Sequence, residues 1–158
     1  MAEKLSTGFA DAVNAVGSVK SVMANGVICL FSGAQPETAD DAETGDLLMT
    51  LTLNAGEFNP SSPTNGLNMG ASTDGVLSKD ETETWQGVGL AAAGVGTEAG
   101  WFRWYDNDMI TGESTVAVRV DGAIGASNEF EMQLSNVIIV ENGPSTVNTF
   151  SYTTIKQA

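Results

Sequence analysis

Any chemistry in this chain has to come from its carboxylates. Histidine is absent and cysteine occurs once, at Cys29. A Ser-His-Asp or Cys-His nucleophile, a zinc site of the usual ligands and an intrachain disulfide are therefore all excluded. Glu37, Asp40, Asp41, Glu43 and Asp46 form an oxygen-rich cluster of a kind that calcium favours. The cluster lacks the alternating spacing and final Glu of an EF-hand loop, so a solvated acidic loop is the expectation. Asp106-Asn107-Asp108 with Glu113 is a second oxygen-rich turn and is read the same way. Glu129 and Glu131 share one strand face, as a glycosidase pair could. Their opposite face is Phe130, Met132 and Leu134, which makes the Glu side the solvent side. Gly94-Val95-Gly96-Thr97-Glu98-Ala99-Gly100 misses the dinucleotide fingerprint by one residue and precedes a strand, so no helix N-terminus is there to hold a phosphate. No catalytic residue, no metal ligand and no cofactor is expected, and the chain is not expected to be an enzyme. Cys29 reads as a small buried hydrophobe.

Aromatic residues are the other candidates. Trp85, Trp101, Trp104 and Tyr105 could stack on sugar rings if exposed. In Trp101-Phe102-Arg103-Trp104-Tyr105, however, Trp101 and Tyr105 point to one face of a strand and Phe102 and Trp104 to the other. That pattern belongs to a strand covered on both sides, in a core or at a subunit interface, with Arg103 reaching out or pairing with an acid.

The elements that position these residues follow from periodicity. Leu5, Phe9, Val13, Val16 and Met23 recur at helical spacing, so one helix is expected from there to Asn25-Gly26, with Ser6 or Thr7 as its cap. After Gly26 the period changes to two. Strands are expected at 27–31, 47–53, 101–105, 116–120, 130–134, 137–140 and 147–155, with a weaker one at 85–90. Turns separate them at Ser32-Gly33, Thr44-Gly45, Asn107-Asp108 with Thr111-Gly112, Asp121-Gly122 and Asn142-Gly143-Pro144. The expected fold is all-β: an antiparallel β-sandwich or jelly-roll-like domain over 27–158, preceded by an N-terminal α-helix or arm over 1–26. Two connections are long. The one at 54–76 is rich in Asn, Gly, Pro and Ser and reads as an ordered arm against a neighbour; the one at 90–100 is mostly Ala and Gly.

The 158 residues suffice for one domain. Twenty carboxylates stand against six cations, a net charge of −14. Such a surface repels a phosphate backbone, so no nucleic acid is expected as a partner. The longest aliphatic run is five residues, at 27–31, against about twenty for a membrane span, so no membrane is expected either. The segment 1–7 has Lys4 and Glu3 and no apolar run behind it, so no secretory leader is expected.

Several blocks carry a resemblance. They are Ala24-Asn25-Gly26-Val27-Ile28-Cys29-Leu30-Phe31-Ser32-Gly33-Ala34-Gln35-Pro36, Ala39-Asp40-Asp41-Ala42 and Thr44-Gly45-Asp46-Leu47-Leu48. Others are Gly75-Val76-Leu77-Ser78, Ala99-Gly100-Trp101-Phe102-Arg103-Trp104-Tyr105-Asp106, Val120-Asp121-Gly122-Ala123-Ile124-Gly125 and Leu134-Ser135-Asn136. In this order the chain resembles small virion structural proteins of tailed bacteriophages. The resemblance implies a particle component without catalysis, made in the bacterial cytoplasm and carried on the virion. The preferred expectation is a capsid decoration or cement protein on the outer head, with the major capsid protein as partner and a homotrimer as the assembled form. A tail, neck or fibre component and a glycan-binding module are the alternatives. Expected interface residues are Phe9, Val13 and Val16 on the helix, Phe58, Pro60 and Pro63 on the arm, and Trp101 and Trp104.

Overall fold

The computed structural model describes residues 4–124 and 130–153. Eleven strands are described: β1 (Lys4–Leu5), β2 (Val27–Ser32), β3 (Leu47–Leu53), β4 (Met69–Thr73), β5 (Val76–Lys79), β6 (Trp85–Val88), β7 (Thr97–Tyr105), β8 (Arg119–Ala123), β9 (Phe130–Leu134), β10 (Ile138–Ile139) and β11 (Pro144–Thr153). Two helices, α1 (Thr7–Ala15) and α2 (Val19–Val22), lie between β1 and β2. Every pairing between the described strands is antiparallel, and the class is all-β. The strands form one curled sheet in the order β1-β8-β7-β2-β3-β6-β11-β5-β4, with β10 beside β7 and β9 beside β11.

The sheet folds back on itself. Phe150 of β11 meets Trp104 and Phe102 of β7 at ring-centroid distances of 5.2 and 5.7 Å, although β2, β3 and β6 lie between them in the sheet. Between the two halves lies the main core, with Ile28, Leu30, Leu51, Trp85, Phe102, Trp104, Val120 and Phe150 in it. Strands β2 and β7 are covered on their other face as well. There Val27, Cys29, Phe31, Trp101 and Tyr105 form a second, smaller core, with Leu47, Phe58 and Met109 packed against it. Phe31 stacks on Trp101 at 4.6 Å. Burial on both sides is why the apolar residues of β2 run on without alternation.

The helix expected over 5–23 is two elements. Leu5 belongs to β1, paired with Val120 of β8. Ser6 caps α1 by accepting from Phe9 N–H at 3.0 Å. The chain then leaves the helix at Gly17, and Ser18 caps α2 by accepting from Ser21 N–H at 3.2 Å. A glycine followed by a capping serine is a stop and a restart, and it outweighs the apolar spacing that runs across it. Asn25 ends this region at φ 55°. Phe9 and Met23 sit in the main core, so these residues pack into the same body as the sheet.

The connection at 54–76 is shorter than its composition suggests. Residues 69–73 are already β4, joined to β5 through Asp74 and Gly75 at φ 53° and 82°. Two positive φ values in a two-residue turn define a tight hairpin, and Asp-Gly is its usual sequence. Asp121-Gly122, expected as a turn, lies inside β8. The strand expected at 116–120 therefore begins three residues later, and Val116 is exposed. The last two residues of the strand expected at 147–155 lie outside the described residues.

Candidate functional site

Three of the expected interface residues are interior. Phe9, Trp101 and Trp104 are each 1% exposed. Their rings fill the two cores, and no neighbour can reach them. Trp85 and Tyr105 are equally buried, so none of these rings presents a face to a sugar. Val13 and Phe58 are half-buried against the chain's own cores. Val16, Pro60 and Pro63 are exposed. The structure does not bring these three together with the others into one site. The proline-bearing arm is stitched to its own chain. Asn107 Nδ2 donates to Ser62 O at 2.6 Å and to Asn25 O at 2.8 Å, and Ser61 Oγ donates to Asp108 Oδ1 at 2.8 Å.

The loop that carries the acidic cluster keeps Glu37 and Asp46 exposed, as expected, but turns Glu43 and several backbone carbonyls inward. It closes over two buried arginines on the outer face of β7 and β8. Arg103 on β7 faces Asp121 on β8 across the ladder. The guanidinium donates to both carboxylate oxygens, Nε to Oδ1 at 2.6 Å and Nη2 to Oδ2 at 2.8 Å. Its remaining arm, Nη1, donates to Glu43 Oε1 and to Asp41 O, both at 3.0 Å. Arg119 donates Nε to Ala39 O at 2.7 Å, Nη1 to Ile110 O at 2.9 Å and Nη2 to Asp40 O at 3.0 Å. A planar fork with five donors suits this task, because a loop offers its carbonyls at several angles.

Glu43 is the keystone of the loop. It also accepts from Tyr105 Oη at 2.6 Å and from Gly112 N–H at 2.9 Å. Burial pushes its carboxyl up, but the hydrogen bonds from Tyr105, its own backbone N–H and Gly112, with the charge of Arg103, leave it below the ordinary value. Tyr105 is held well above the ordinary tyrosine range by burial and by the nearby Cys29 and Glu43. Burial pushes the Cys29 thiol up to about 12. Asp40 bonds forward as well, accepting from Thr7 N–H at 2.8 Å and thereby tying the loop to the start of α1. Such a clasp fixes shape. It offers no open position to a substrate.

At the second oxygen-rich turn, burial and the charge of Asp108 raise Asp106 to about 6. Among the described residues, no group of three or more Cys, Asp or Glu stands where it could hold a metal ion. Glu129, half of the carboxylate pair considered above, lies outside the described residues. The cavities are shallow grooves. One of about 350 Å³ runs between α2 and the β4–β5 hairpin, with Lys20 and Tyr152 in its wall, and one of about 360 Å³ lies over Thr50 and Thr52. Among the described residues, no helix is long and apolar enough to cross a membrane.

Folding sharpens the charge imbalance. Arg103 and Arg119 are fully buried and Lys79 nearly so, its Nζ donating to Glu83 O at 2.6 Å. That leaves Lys4 and Lys20 as the surface cations among the described residues. Asp121, by contrast, is the one described carboxylate that is fully buried. The sequence also concealed a group of exposed apolar residues. The run 137–140 reads as a strand on a continuous apolar run, yet only 138–139 pair as β10 and Ile139 alone is buried there, while Val137, Ile138 and Val140 are exposed. No family model, curated relative or solved structure matches the chain.

Proposed function

We propose that this chain is a non-enzymatic structural component of a tailed-phage particle: a decoration protein seated on the outside of the head. In this reading the folded-back sheet serves as a two-layer β-sandwich, with α1 and α2 closing one of its ends. The observation that carries the proposal is the partition of charge. Three of the six cations are spent inside the fold, and among the described carboxylates Asp121 alone is fully buried. A surface of that sign is repelled by packaged DNA and suits the outward side of a shell. The rigid clasp of residues 37–46 supports the same reading, because it spends the chain's polar chemistry on fixing a shape. The resemblance of the sequence blocks to virion proteins points the same way. The test is co-sedimentation of the purified protein with undecorated expanded heads of the phage that encodes it. Binding at micromolar concentration, with hundreds of copies per head, is expected. No binding, or six or twelve copies per virion, overturns the head assignment, and the low copy number reassigns the protein to the neck or baseplate.

A further inference from the structure

One end of the molecule carries apolar side chains that neither core uses. Val88 ends β6, Leu90 follows it, Val95 lies in the turn before β7, and Val137, Ile138 and Val140 lie in and around β10. Their exposures run from 39% for Val137 to 101% for Val95. Backbone hydrogen bonds hold the three segments together. Glu141 N–H donates to Gly94 O at 2.9 Å, Asn142 N–H to Gly89 O at 2.9 Å and Ala99 N–H to Val137 O at 2.9 Å. The approach is close: a Cβ on Gly89 would stand 1.9 Å from Val140 O. Val88 and Leu90 also line the 360 Å³ groove, together with Phe58 and Met109. Single exposed valines are ordinary, but six apolar residues on three tied segments beside an apolar groove mark a contact surface.

Charge decides what covers it. Glu98 stands opposite Ile138, Glu141 follows Val140, and Glu57 lines the groove. The segments contribute no lysine or arginine. Two copies meeting through this face would set Glu98 and Glu141 against their own equivalents, on chains that each carry −14. Like charges brought together at an interface oppose docking, and opposite ones favour it. We propose that this end is the docking face for a different protein, one that presents apolar side chains ringed by lysine or arginine. The inference rests on the head reading above and names the shell subunit as that protein. The homotrimer expected from the sequence would then have to be built on another face.

The experiment uses the full chain and undecorated heads of the phage that encodes it. V95D/I138D is expected to weaken binding by about tenfold or more, since it puts charge into the centre of the contact. E98K/E141K is expected to weaken it severalfold and to flatten its salt dependence. V116S, exposed but elsewhere, is expected to bind as the wild type does. Fluorescence of the three buried tryptophans reports folding, and the single V95D, at a fully exposed position, serves if the double variant does not fold. Undiminished binding by V95D/I138D overturns this face and leaves the head reading standing. No binding by the wild type overturns both. A wild-type oligomer that V95D dissociates makes a second copy the occupant and overturns the proposal.

Discussion

Removing Asp121 should do more damage than its single carboxylate suggests. Asp121 and Arg103 are both 0% exposed and share two short hydrogen bonds, at 2.6 and 2.8 Å. In the variant D121A the guanidinium stays buried and loses its bidentate partner. Breaking a buried pair in this way costs about 3–5 kcal/mol, because the remaining charge is left uncompensated. Glu43 still contacts Arg103 at 3.0 Å, so the expected loss lies at the lower end, about 3 kcal/mol. With a urea m-value of about 2 kcal/mol/M for a domain of this size, the midpoint should fall by about 1.5 M. Urea titration followed by tryptophan fluorescence measures it, since all three indoles are buried. The double variant R103M/D121L supplies the diagnostic contrast. It removes the fully buried pair and fills the space with apolar atoms, while Glu43 keeps Tyr105, Gly112 and Arg119, so it should cost less than D121A alone. A loss below about 1 kcal/mol for D121A is what a solvated surface pair would give, and would refute the buried clasp. A double variant worse than the single one would refute the electrostatic account of it.

Asp106 titrates at about 6 in the folded chain, above its unfolded value, so its contribution is present at low pH and is lost as the pH rises through about 6. D106N should therefore raise stability at pH 7.5 by about 1 kcal/mol after solvent screening, and leave it unchanged near pH 3.5, as read from urea midpoints at the two pH values. Cys29 is 1% exposed with its thiol pushed up to about 12, so a thiol reagent at pH 8 should label it only as fast as the chain unfolds. Rapid labelling of native protein would contradict the closed second core. Gly45 and Gly33 have nearly the same φ, 78° and 77°, but a Cβ at Gly45 would stand 2.0 Å from Ser32 O while that at Gly33 meets open space. G33A should cost about 1 kcal/mol and G45A clearly more, about 3 kcal/mol, by thermal or urea melts.

Strands β2 and β7 were legible because burial on both faces leaves a mark within a few residues: apolar side chains at both parities of 27–31 and 101–105. The Asp74-Gly75 hairpin was equally legible in principle, since Asp-Gly between strand-forming residues is a local signal. It was obscured by the Asn/Pro-rich segment before it. An acid for Arg103 was legible as one of two readings, but which acid, and the clasp around it, was not. Arg103 and Asp121 are 18 residues apart in the chain, and Arg119 and Ala39 are 80 apart. An acidic run carries no sign of whether it faces water or a distant guanidinium. The same gap explains Asp121-Gly122. A carboxylate buried inside a strand, as Asp121 is, needs a partner such as an arginine across the ladder, and the pairing of β7 with β8 supplies it. The exposed run 137–140 shows the converse. Hydrophobicity predicts β-structure there, but what the strand is pressed against is a tertiary fact.

Strand β11 ties together three others, pairing with β6 through Pro144–Thr146, with β9 along its middle and with β5 through Ser151–Thr153. It also delivers Phe150 to the centre of the main core. On the ribosome these residues emerge after all of their partners. The sheet cannot close around Phe150 until about residue 153 has cleared the exit tunnel, so the main core completes only once β11 has emerged. A prematurely terminated product would expose its unfinished edge and never acquire the finished outline, which keeps truncated copies from competing with whole ones wherever many identical copies are assembled.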